Sequence, residues 1–83
     1  MKKIICDGKH LQRTKDGYAY LAHLLDAPET FGNNLDALYD LLTELGAETE
    51  ICIYSEEEMD LRMKKVFLNA SIENEWLNIV LTK

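Results

Sequence analysis

At 83 residues, 47% of them hydrophobic and 29% charged, the chain has the size and composition of one folded domain spanning 1–83, not of a disordered segment. Fifteen acids against nine bases leave a formal charge of −6. That balance argues against unaided binding to nucleic acid or anionic lipid, since neutralising phosphates takes Lys and Arg, and it favours a basic protein as partner.

Lys2–Cys6 reads as a short buried strand, closed by the turn dipeptide Asp7-Gly8. Lys9–Arg13 is expected as a hairpin arm or a loop. Thr14 is placed to cap a helix whose apolar face is Tyr18, Leu21, Ala22 and Leu25, at i, i+3, i+4 and i+7. Asp26–Gly32 holds the only proline, Pro28, and breaks the chain. A second helix is predicted over Asn34–Leu45, with Asn33 as its cap and Asp36 at the third helical position, within reach of that cap. Leu35, Leu38, Leu42 and Leu45 form its apolar stripe, with Leu41 alongside. Asp36, Asp40, Thr43 and Glu44 fall opposite, Tyr39 lies at the border, and Gly46 is expected as the C-terminal cap.

Glu50–Tyr54 is β-branched and aromatic, a strand pattern. Ser55-Glu56-Glu57-Glu58 spells a capping box, and Met59, Met63, Val66, Phe67 and Ala70 mark the core face of a third helix ended by Asn74. Trp76–Thr82 is a last strand, expected to be well buried because its apolar run is nearly continuous. The order β-α-α-β-α-β, with crossovers long enough for parallel pairing, predicts an α/β fold: a small three-stranded parallel sheet packed by helices.

Between Asp16 and Leu61 there are twelve carboxylates and no Lys or Arg. Asp36, Asp40 and Glu44 repeat at four-residue spacing, which costs an isolated helix roughly 0.2–0.5 kcal/mol per like-charged pair. Such a stripe calls for solvent or a cationic partner. Other chemistries find little support. His10 and His23 lie thirteen residues apart, outside any ligand spacing, so no metal or other cofactor is expected. The four glycines are scattered and form no phosphate loop. Ser55 and Ser71 sit at helix ends without a base, and one-turn-apart carboxylates on an exposed face lack the burial that separates acid from base. An enzyme is not expected. Cys6 and Cys52 lie in strand-like apolar runs, where free thiols are the commoner state, although neighbouring strands would leave a disulfide open. Three apolar residues before Asp7 are too few for a secretory leader, and no apolar run approaches the roughly eighteen residues of a membrane span. The cytoplasm is the expected location.

The segment Phe31-Gly32-Asn33-Asn34-Leu35-Asp36-Ala37-Leu38-Tyr39-Asp40 resembles the signature of the barstar family, intracellular inhibitors of secreted guanyl-specific ribonucleases. The resemblance extends to the first strand with its glycine turn, to Pro28-Glu29, to Val66-Phe67 and to the closing strand. It implies a binding protein, monomeric when free, whose loop and second helix plug a basic ribonuclease through Thr30, Phe31, Gly32, Asn34, Asp36, Tyr39, Asp40, Thr43 and Glu44. Asp40 would stand in for substrate phosphate, Asp36 would be a second anionic contact, and Tyr39 the aromatic neighbour. There are departures. Thr30 stands where the family has a second aromatic, and Asn69 where it has a glutamate. Arg62, Lys64 and Lys65 put positive charge on the last helix, and the segment before that helix is shorter. These differences open a second reading, a barstar-like module or immunity protein directed at another basic partner.

Overall fold

A computed structural model describes residues 1–83. Its elements run β1 (Lys2–Asp7), α1 (Lys15–Leu24), α2 (Leu35–Thr43), β2 (Thr49–Tyr54), α3 (Leu61–Glu73) and β3 (Leu77–Leu81), with short 3-10 turns at Gly8–His10 and Glu56–Glu58. The three strands form one parallel sheet in the order β1-β2-β3. This is the small α/β architecture anticipated from the order of the elements.

Strand alternation decides which face is covered. Ile4 and Cys6 of β1 pair in register with Ile51 and Ile53 of β2, and all four are buried with Leu21, Leu38, Leu42, Met63 and Phe67 of the helices in one core. The opposite face carries Lys3 and Ile5, Glu50, Cys52 and Tyr54, then Asn78 and Val80; Ile5 and Tyr54 are about half exposed. The last strand departs from expectation. Only Leu77 of β3 is fully buried; Ile79 and Leu81, on the same face of this edge strand, are partly buried against the core.

The same alternation separates the thiols. Cys6 points into the core while Cys52 lies on the open face, one register position away, and both are free. Burial, aided by neighbouring Cys52, pushes the Cys6 thiol up to about 12. Burial and then the adjacent Glu50 carboxylate also raise Cys52, so both groups are biased toward the neutral thiol.

Helix starts show where tertiary contacts override local pattern. Thr14 caps α1 as expected, its Oγ1 accepting from Gly17 N at 3.0 Å. The Ser55–Glu58 capping box does not form. Ser55 adopts a left-handed backbone (φ 49°) without a side-chain cap, and Glu56–Glu58 make a 3-10 turn. The cap of α3 is Asp60, whose Oδ2 accepts from Met63 N at 2.9 Å and pairs with Arg13 Nε at 3.0 Å. Leu11 O accepts from Asp60 N, and Gln12 Nε2 donates to Glu58 O, so the loop after β1 clamps the entry to α3. Gly8 permits that approach: a Cβ there would stand 2.2 Å from Ser55 O.

Burial pushes the Asp60 carboxyl up, but the Met63 and Arg62 N–H groups and the Arg13 guanidinium outweigh it and hold it below the ordinary value of 3.8. The folded state therefore binds fewer protons at this group than the unfolded one. Its contribution is complete above that value and is lost as pH falls below it. Asp60→Ala should cost about 1–2 kcal/mol at neutral pH. Asp60→Asn, which keeps a capping oxygen, should chiefly flatten the acid limb of stability followed by urea unfolding between neutral pH and pH ~3. An unchanged acid limb would refute the assignment.

Candidate functional site

Two asparagines hold α2 in place. Asn34, not Asn33, is the N-cap: its Oδ1 accepts from Ala37 N at 2.8 Å. Asp36 is therefore at the second helical position, where it complements the helix dipole without closing a capping box. The helix ends at Thr43 with Glu44 as C-cap, and Gly46 plays no capping part. The far end is secured instead from α3. The buried Asn74 donates through Nδ2 to Leu42 O at 2.9 Å and Leu45 O at 3.0 Å, and accepts from Trp76 N at 3.0 Å. With Leu38 and Leu42 fully buried, the helix is anchored by its apolar face and at both ends.

Asp36, Asp40 and Glu44 stand exposed on the outer side of α2. The ion pairs of the chain lie elsewhere, at Lys3–Glu50, Arg13–Asp60 and Lys64–Glu56, so none of the three carboxylates is ion-paired within the chain; Arg13, which borders the same depression as Asp36, is taken by Asp60. They are not gathered in one place. Asp40 and Glu44 open, with Thr30, Phe31 and Gly32, onto a shallow depression of about 240 Å³ beside the Pro28–Gly32 loop. Asp36 and Tyr39 line a groove of about 550 Å³ between α2 and α3, whose far wall is Val66, Asn69, Ile72 and Glu73. The ridge of α2 separates the two.

The remaining sequence-derived residues support the surface. Phe31 is half-buried against the core, and Phe31 N donates to Pro28 O at 2.9 Å, which turns the loop toward the helix. Gly32 lies close under the Asn34 amide. Thr43 turns its hydroxyl back onto the helix, donating to Tyr39 O at 2.9 Å and reaching Asp40 O at 3.2 Å. In the absence of a partner, Thr43 is thus committed to its own backbone. Pattern reading missed Ile72 and Glu73. The signal for Ile72 was available: an isoleucine off the Met63–Phe67–Ala70 core face has no partner within its own helix.

A scan against family models matches residues 1–71 to "Barstar (barnase inhibitor)". Among curated proteins, Bacillus subtilis (strain 168) has a relative named "Putative ribonuclease inhibitor YrdF", 44% identical over 43 residues. The alignment covers 52% of this chain and 47% of the relative, about half of each. A family match over most of the chain, on a three-stranded parallel sheet reached in β-α-α-β-α-β order, leads to one conclusion: the chain belongs to the Barstar family.

Proposed function

We propose that this protein is a cytoplasmic inhibitor of a basic, guanyl-specific microbial ribonuclease, which it binds one-to-one and without catalysis of its own. The observation that carries the reading is the set of three exposed carboxylates on a helix fixed at both ends, with no internal cation to neutralise them. A ribonuclease cleft is lined with cations that recognise phosphate, and paired carboxylates satisfy the same groups, bidentately where the cation is Arg. Asp40 takes the position of substrate phosphate, with Glu44 beside it and the Thr30–Gly32 loop as its rim. Asp36 and Tyr39 supply a second anionic and aromatic contact across the helix ridge. In the producing cell such a protein protects RNA from the cell's own nuclease or from a nuclease toxin.

Titration into a guanyl-specific ribonuclease, read by RNA cleavage, should show stoichiometric inhibition that weakens as salt rises. A ribonuclease that remains fully active with excess protein present would reject that class of target. The second reading, a family scaffold aimed at another basic protein, is favoured by Asn69 in the α2–α3 groove, where a carboxylate would otherwise face the partner.

A further inference from the structure

The outer face of α3 is apolar in a way that the core does not explain. Leu61 and Ile72 are 71% and 79% exposed, and Leu68 is 37% exposed. At 100° per residue, Leu61, Lys65, Leu68 and Ile72 fall within about 60° of one another, on the side opposite the buried Met63, Phe67 and Ala70. The stripe runs about 16 Å along the helix. On its flank, Arg62 and Glu73 lie one at each end of the helix, and neither takes part in an ion pair of the chain.

We infer that this face binds the same face of a second copy, α3 against α3 in antiparallel orientation. A two-fold axis through the middle of the helix makes the surface self-complementary. Arg62 then meets Glu73 of the second copy, and Glu73 meets its Arg62. Leu61 packs on Ile72 of the second copy, and Leu68 on its own counterpart, with the Lys65 stems laid along the seam. Charge argues against a basic nuclease as occupant, because Arg62 and Lys65 would face its cations. Two short helices in contact bury well under the roughly 1,200–2,000 Å² of a stable interface, so the dimer is weak, with a dissociation constant on the order of 0.1–1 mM. In dilute solution the protein is a monomer.

Sedimentation velocity from about 20 μM to about 1 mM, in about 0.3 M salt to screen the −6 charge of each chain, tests the pairing. The weight-average mass of the wild-type protein should rise toward the dimer over that range. Arg62→Glu alone and Glu73→Arg alone should each stay monomeric, since each variant sets like charges opposite one another. An equimolar mixture of the two should associate again, because every pair is then Glu with Arg. Wild-type protein that is monomeric at every concentration would overturn the pairing. So would association that survives Ile72→Asp, or an Arg62→Glu chain that dimerises as the wild type does.

Discussion

Asp40→Ala should weaken binding to the cognate ribonuclease at least about 30-fold, or ~2 kcal/mol, the lower end of the cost of truncating one member of a buried charge pair. Most of the loss comes from the enzyme: its cations remain desolvated at the interface with nothing opposite them. The same substitution should stabilise the free protein. Ala is a better helix former than Asp by about half a kcal/mol, and removing the middle carboxylate relieves repulsion toward both Asp36 and Glu44. Opposite signs for affinity and stability, measured by inhibition titration and thermal melting of one variant, separate a functional residue from a structural one. Affinity retained within about threefold would reject the phosphate-mimic role. Glu44→Ala, at the rim and near solvent, should act mainly on the association rate and its salt dependence.

Among the polar residues of this region, Asn74 is expected to have the largest effect on stability. Its amide satisfies two carbonyls at the end of α2, and both of its Nδ2 hydrogens are used in a buried setting. Asn74→Ala leaves the Leu42 and Leu45 carbonyls without those donors and breaks the turn into β3, at an expected cost of about 2–4 kcal/mol. In a domain of this size that lowers the melting temperature by about 10–25 °C. Asn74→Asp is a sharper test. It keeps the shape but cannot donate at neutral pH, and it sets a negative charge against two carbonyl oxygens. It should be no better than Ala despite being nearly isosteric. A cost below about 1 kcal/mol for Asn74→Ala would show that α2 does not depend on this tie.

Much of the fold was legible because its elements obey their periods. The alternation of Glu50–Tyr54 and the i, i+3, i+4, i+7 spacing of Tyr18–Leu25 placed β2 and α1 to within a residue or so. The capping residue misled wherever two polar candidates competed. Asn33 and Asn34 are the same residue type, and only the backbone geometry puts Asn34 in position to accept from Ala37 N. Ser55 lost to Asp60 because Asp60 gains Arg13 and Leu11, partners almost fifty residues away that no local pattern reports. The apolar run of β3 read as a well-buried strand, but a continuous run carries no information on strand order.

For the site, periodicity placed Asp36, Asp40 and Glu44 together on the exposed side of α2. It could not show that a helix ridge parts them, with the Pro28–Gly32 loop on one side and α3 on the other. What lies beside a helix face is set by topology, and the helix's own sequence is silent about it.

On the reading proposed above, the two asparagines that hold the ends of α2 bear on the thermodynamics of binding as well. Ordering a mobile recognition segment as it meets its target consumes interaction energy, commonly several kcal/mol for a segment that folds on binding. Asn34 and Asn74 tie both ends of this helix within the chain itself, so association through it is expected to order chiefly the outward side chains. Calorimetry on the complex should therefore show a heat-capacity change matching the contact area alone, with no added share from coupled folding.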